Sequence, residues 1–208
     1  MHLGVSYPLR IFIPDVSHHV FPRGINGEAI SRDGDDTEHL LQVVAKAAAE
    51  NNVSIHAFAF MTTHYHLIVT PTTEGALPQT MQIAGGRHTK YFNRKYERTG
   101  TIWNERYGAV LLHDERYWYT CLRYVDLNPF RAHMVSSPED SRWSSYRIHA
   151  YGEQCDWLTP HPLYLKLGST PKERQAAYRA LCDRGLTDDE LDQLRHPPRR
   201  EVIEIPAI

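Results

Sequence analysis

The sequence predicts an α+β sandwich, an antiparallel sheet with helices packed on one face, followed by a small helical appendage. Three observations carry this. Strand-like and helix-like runs follow one another in the order β, α, β, β, α, β, α, which is not a strict βα repeat. Two strand-like runs are separated only by Thr62 and Thr63, which suits an antiparallel pair. No apolar run approaches the roughly 18 residues that a membrane-spanning helix needs.

Residues 16–23 (VSHHVFPR) form the first β-rich run, ended by Gly24, and Asn26-Gly27 and Gly34 mark turns beyond it. Over 37–51, Leu40, Leu41, Val44, Ala47 and Ala48 share one helical stripe, while Asp35, Asp36 and Glu38 gather where the helix dipole favours negative charge. Runs 53–61 (VSIHAFAFM) and 64–71 (HYHLIVTP) are the next two strands. A helix over 77–96 puts Leu77, Met81, Ala84, His88 and Tyr91 on one face, and 107–112 reads as a fourth strand. Asp114 and Glu115 open a third helix, which must end before Pro129 because proline has no N–H to give. Past Tyr151, Thr170-Pro171-Lys172-Glu173 and Thr187-Asp188-Asp189-Glu190 are capping boxes that start two short helices. The expected division is therefore a main domain over 1–151 and an appendage over 152–208, ending in a loose tail at 196–208.

With 41% hydrophobic and 23% charged residues among 208, the chain can bury a core, which excludes a disordered class. The first 14 residues lack the pattern of a secretory signal. Cys121, Cys155 and Cys182 are odd in number and contain no CxxC pair, so they provide neither a disulfide framework nor a zinc knuckle. A cytoplasmic protein is expected. The net charge of −2 hides an asymmetry: residues 1–86 hold 4 basic and 8 acidic side chains, 87–147 hold 11 and 7, and 148–208 hold 8 and 10. The middle segment also carries 12 of the 22 aromatic residues. Cations interleaved with flat rings suit single-stranded nucleic acid, since phosphates attract Lys and Arg and unpaired bases stack. The plainer alternative is that the rings are mostly core and the charges a solvated face.

Two constellations bear chemistry. In His64-Tyr65-His66, residues two apart on a strand point the same way, so both imidazoles face one side and could hold a metal; a chance pairing is the alternative among 13 histidines. No HExxH is present and no cysteine lies nearby, which excludes the common zinc arrangements. Tyr124 and Asn128, four apart ahead of Pro129, would share a helix face. A phenol beside a metal-bound phosphate can act as nucleophile, and an amide oxygen can complete a metal shell. Equally, Tyr124 could be a half-buried helix aromatic and Asn128 a cap.

The segments HAFAFMTTHYHLIVTP, GRHTKYFNRKY, RYGAVLLHDERYWYTCLRYVDLNPFRAHMV and PEDSRWSSY, in that order, resemble the single-tyrosine HUH transposases, and in particular the REP-associated tyrosine transposases of bacteria. The resemblance runs from about Val16 to Tyr151. It implies a ferredoxin-like domain that cleaves and rejoins single-stranded DNA at REP-type hairpins through a 5′-phosphotyrosine link. It implies Tyr124 as nucleophile, His64 and His66 as ligands of Mg2+ or Mn2+, and Asn128 as the third ligand. It also implies DNA-contacting positions at Arg23, at Arg87, Lys90, Tyr91, Arg94 and Lys95 after the histidine strand, and at Arg106, Arg123, Arg142 and Trp143. Thr63 stands where many relatives have Asn, and His18 and His19 where relatives often have one histidine. Tyr117 and Tyr119 precede Tyr124, but only Tyr124 has an Asn four residues on. The implied partners are single-stranded DNA and hairpins, with no membrane and a monomer favoured over a dimer. Two other readings stand beside the enzyme: a domesticated hairpin-binding protein with little or no cleavage, and a His-ligated metal hydrolase unrelated to DNA.

Overall fold

Where the strands lie decides which side chains meet. The computed structural model describes residues 13–195, so the expected tail at 196–208 lies outside the described residues. The elements run β1 (His18–Phe21), α1 (Gly34–Glu50), β2 (Val53–Phe60), β3 (Tyr65–Pro71), α2 (Ala76–Lys95), β4 (Gly108–Leu111) and α3 (Glu115–Asp126). They continue with α4 (Asn128–Arg131), α5 (Tyr146–Tyr151), α6 (Pro162–Leu165), α7 (Pro171–Asp183) and α8 (Asp188–Arg195). The sheet is antiparallel throughout, in the order β2-β3-β1-β4, so each strand-helix-strand crossover steps over one strand, as in a ferredoxin-like fold. Among the described residues no helix is long and apolar enough to cross a membrane.

Local chemistry sets the ends of these elements. The side chain of Asp33 accepts the Asp36 N–H at 3.0 Å, which starts α1 before its apolar stripe begins. Asp114 accepts the Tyr117 N–H at 2.8 Å and starts α3. That helix stops at Asp126, and Asn128 opens a separate short helix in which Pro129 occupies the first turn, where its missing N–H costs nothing. Both expected capping boxes form: Thr170 and Glu173 exchange side-chain-to-backbone bonds at the start of α7, and Thr187 and Glu190 do so ahead of α8.

Alternation along the strands splits the core in two. Val20, Ile55, Phe58, Phe60, Tyr65, Leu67 and Val69 point to one face and pack on α1 and α2 through Leu40, Val44, Leu77, Met81 and Phe92. The structure adds that the other face is covered as well. Ala57, Ala59 and Ile68 pack there against Trp118, Cys121, Leu122 and Val125 of α3. Two alanines in a row of inward positions leave room for a helix at close range. Tyr164, Tyr178, Cys182 and Leu194 extend this second cluster, so the helices after Tyr151 pack on the far side of α3.

Strand β2 would be an open edge. Two later segments cover it. The Trp143 carbonyl accepts the Phe60 N–H at 2.8 Å, Ser145 donates its N–H to the Phe58 carbonyl at 2.9 Å, and the Thr159 N–H reaches the Ile55 carbonyl at 2.8 Å. Between them, β2 bulges at His56, where Ile55 faces Val69 and Ala57 faces Ile68.

One buried carboxylate joins these parts. Asp126, with no exposed surface, accepts hydrogen bonds from the Ser145 hydroxyl, from His149 Nδ1 at 2.7 Å and from the Tyr178 hydroxyl at 2.6 Å. It therefore ties α3 to the segment covering β2, to α5 and to α7. Asp126→Ala leaves the His149 and Tyr178 donors without this acceptor and Ser145 with only the Phe58 carbonyl at 3.3 Å, and is expected to lower the unfolding free energy by about 3–5 kcal/mol, against about 1–2 kcal/mol for Tyr178→Phe, both read from urea denaturation.

Candidate active site

The antiparallel register of β1 on β3 pairs Val20 with Leu67 and His19 with Ile68, which sets Phe21 beside His66. Since Tyr65 and Leu67 point to the α1/α2 side, His64 and His66 point to the α3 side, as their spacing predicts. His66 is buried, with Nδ1 2.9 Å from Nε2 of His19. Its other nitrogen, Nε2, is also buried and meets no hydrogen-bond partner among the described residues. His64, at the start of the strand, has Nδ1 3.0 Å from the Thr63 hydroxyl. Thr63 thus engages the ligand-candidate ring directly, through a hydroxyl. In both histidines Nδ1 is taken by the protein.

Both rings are held neutral. Burial, then the nearby Arg23 charge, lowers His64 to about 4. Burial foremost, with His19, His64 and Arg23 adding to it, lowers His66 well below the ordinary histidine value. A neutral imidazole is the form that binds metal.

Tyr124 closes the site from α3. Its half-buried ring meets His66 edge-on with centroids 5.3 Å apart and His19 at 6.0 Å, also edge-on. Tyr117 is instead buried and stacks on His113, and the Tyr119 hydroxyl donates to the Leu163 carbonyl at 2.7 Å. Of the three tyrosines on α3, Tyr124 is the one whose ring meets the histidine pair. Asn128 lies one turn on, buried at the start of α4. No group of three or more His, Cys, Asp or Glu side chains that could hold a metal is found among the described residues. The donors on hand are two neutral imidazoles, one with an orphaned buried nitrogen, and the Asn128 amide lies four residues beyond Tyr124 in the chain. That set fits a divalent ion completed by water oxygens.

A family model described as an IS200-like transposase matches residues 17–128, from just before β1 through Asn128. The chain belongs to the IS200-like transposase family. Among solved structures, a REP-associated tyrosine transposase bound to a REP hairpin matches with a TM-score of 0.59 at 15% identity, covering 76% of this chain and 93% of that one. A putative transposase from Deinococcus radiodurans R1 matches with a TM-score of 0.41 at 14% identity, covering 65% of this chain and 97% of that one. The first of these likenesses is one of fold. No curated protein matches the chain.

The basic positions of this IS200-like transposase fall into separate groups. Arg23 follows β1, is exposed, and forms an isolated bridge with His64. Its carbonyl accepts the Asn104 N–H at 2.9 Å, which brings the segment carrying exposed Arg106 alongside. Gly24 holds this turn, because a Cβ there would run into the Glu28 carbonyl. By contrast, Arg87, Lys90, Tyr91, Arg94 and Lys95 belong to α2, in the layer across the sheet from the histidine pair. Arg87 pairs with Glu50 at 2.9 Å, and Lys95 reaches both Asp33 and Asp36 at 2.7 Å. Tyr91 stacks on His39 with centroids 3.9 Å apart, while Lys90 and Arg94 are exposed and make no ion pair among the described residues. Arg142 stacks on Trp143 at 4.6 Å, at the covered edge of β2.

Arg123 is not on a DNA-facing surface. It is buried against the C-terminal helices, with its guanidinium 2.6 Å from Glu190 and 2.6 Å from the Gly185 carbonyl. Helical periodicity explains the difference, since Arg123 and Tyr124 are adjacent and point about 100° apart. Sequence reading also missed His19 as a partner of the site and Asp126 as its anchor. The paired HH in β1 and the WSSY segment were the only signals for them.

Two outcomes follow from these placements. Arg123→Ala should lower the unfolding free energy by about 2–4 kcal/mol in urea denaturation, because it leaves Glu190 without its cation, and should leave affinity for DNA unchanged. The second concerns pH. Burial lowers His19 to about 3 and His64, His88 and His161 to about 4, from an ordinary 6.5. Below pH 6.5 the unfolded chain binds more protons than the folded one. The contribution of these groups is complete above that value and is lost as pH falls toward 4. The urea midpoint should therefore decline across that window, and a level midpoint would contradict the assignment.

Proposed function

We propose that this IS200-like transposase cuts and rejoins single-stranded DNA beside hairpins, through a covalent bond between Tyr124 and a 5′ phosphate. The observation that carries the reading is the Tyr124 ring set edge-on at 5.3 Å from His66, whose buried Nε2 has no partner among the described residues. Nucleophile and ligand are thus in contact across the sheet face.

His64, His66 and Asn128 would hold Mg2+ or Mn2+, an ion that supplies Lewis-acid charge to polarise a phosphate. The chain's own groups supply the rest. Arg23, exposed beside His64, attracts the phosphate backbone together with exposed Arg106 on the neighbouring segment, while Lys90 and Arg94, exposed on the layer across the sheet, would meet DNA only beyond the site. Tyr124, carried by α3 beside His66, would supply the attacking hydroxyl. The bond from Tyr124 Oη to phosphorus forms as the bond to the 3′ oxygen breaks; the phenolic proton passes to solvent and the departing 3′ oxygen takes one up. Because the phosphotyrosyl ester conserves the phosphodiester bond energy, a 3′ hydroxyl can later attack it and rejoin strands with no nucleotide cofactor. The REP hairpin in the similar solved structure supports a REP-type hairpin as substrate here. The main domain over 1–151 carries this chemistry as a monomer in the cytoplasm, and α6, α7 and α8 of the appendage brace α3.

The test is an adduct assay. Purified protein incubated with labelled hairpin oligonucleotides carrying single-stranded flanks and Mn2+ should give a species that survives denaturing gels. Tyr124→Phe should abolish it while hairpin affinity stays within about twofold, and His66→Ala should reduce it by at least about 100-fold. Binding without an adduct would identify a domesticated hairpin-binding protein instead. No binding would refute both.

A further inference from the structure

We propose that His19 is a positioning residue that sets the tautomer of His66, keeping the His66 proton on Nδ1 so that Nε2 faces the metal position with its lone pair. This rests on the metal reading above and concerns a residue outside the ligand set.

The geometry is specific. His19 and His66 lie on neighbouring central strands, both buried, with ring centroids 5.1 Å apart, planes 25° apart and a single hydrogen bond of 2.9 Å between His19 Nε2 and His66 Nδ1. That bond holds one proton, so it exists in two forms. In one, His66 donates from Nδ1, His19 accepts, and His66 Nε2 is a bare lone pair. In the other, His19 donates and the remaining proton of neutral His66 sits on Nε2, as a buried N–H with no acceptor among the described residues. An orphaned buried donor costs free energy and cannot ligate a metal. A lone pair is what a cation requires. His64 is arranged alike, with Nδ1 at the Thr63 hydroxyl.

His19 is also unable to drift. Its backbone is paired on both sides, opposite Ile68 of β3 and Val110 of β4. Phe21 lies 5.0 Å from its ring, and Tyr124 meets it edge-on. The same imidazole therefore fixes the ligand ring and forms part of the surface on which the nucleophile rests. Metal-bound histidines in general gain affinity from a fixed acceptor on their second nitrogen.

Two measurements test the assignment. In 15N-resolved NMR of the metal-free protein at neutral pH, His66 should carry its proton on Nδ1; a proton on Nε2 overturns the proposal. Mn2+ affinity, followed by electron paramagnetic resonance, should fall about 10–100-fold in His19→Phe. In His19→Gln, whose amide oxygen accepts the same bond, it should stay within a few fold of wild type. Hairpin affinity in EDTA should be unchanged in both variants, which reports an intact fold. Unaltered Mn2+ affinity in His19→Phe, or an equal loss in both variants, also overturns the proposal. Wild-type protein that binds no Mn2+ would sink the metal reading itself, and the position of the His66 proton would still decide the role of His19.

Discussion

A carboxylate with no exposed surface lies two residues from the tyrosine that meets the histidine pair, and three side chains from two stretches of chain donate to it. Asp126 holds Ser145, His149 and Tyr178 at once. A buried acid is costly unless it is well hydrogen-bonded, so each of the three donors adds to the stability of the arrangement. The position of α3 over the sheet, and with it the place of Tyr124, follows from this condition. Ala57 and Ala59 let the helix come close, and Asp126 fixes where along the sheet it stops.

The charge asymmetry of the sequence finds a structural account in the ion pairs. Cations of the basic middle segment draw their partners from the acidic flanks: Arg87 from Glu50, Lys95 from Asp33 and Asp36, Arg142 from Glu38, Arg123 from Glu190 and Arg147 from Glu153. Much of the local positive charge thus joins parts of the fold to one another. Phe92, Tyr117, Trp118 and Tyr146 are core residues, so the aromatic excess divides in the same manner. Of the cations assigned to DNA, Arg23, Lys90, Arg94 and Arg106 are exposed and make no ion pair among the described residues. With so few unpaired cations, attraction for a polyanion acts over a short range and depends on fit more than on long-range steering.

How much of this was legible in the sequence depends on the distance between partners. Strand alternation within His64-Tyr65-His66 and the helical start at Asp114 are local, and the structure follows both. The sheet order came with the ferredoxin-like resemblance and not from spacing in the sequence. The fate of Arg123 was not legible, since its partner Glu190 lies 67 residues further on and nothing in the intervening sequence announces the pair. The bond between His19 and His66 spans 47 positions and needs the register of β1 on β3, which hydrophobic pattern alone does not specify. WSSY was visible as a motif. Its work, covering the β2 edge with Trp143 and Ser145 backbone while the Ser145 hydroxyl holds Asp126, needed coordinates.

The span of the Asp126 network also bears on how the molecule comes into being. Ribosomes extend the chain from its N-terminus, and domains begin to fold as they emerge. The sheet, both histidines and Tyr124 are synthesised well before Tyr178, which completes the bonding of Asp126 from 52 residues away, and before Glu190, which neutralises Arg123. A nascent chain that has released only its first 150 residues holds the histidine pair and Tyr124 but lacks the braces that fix the Tyr124 helix. Assembly of a rigid site therefore waits for residues 178–190 to leave the exit tunnel. The order of translation itself separates making Tyr124 from setting it in place.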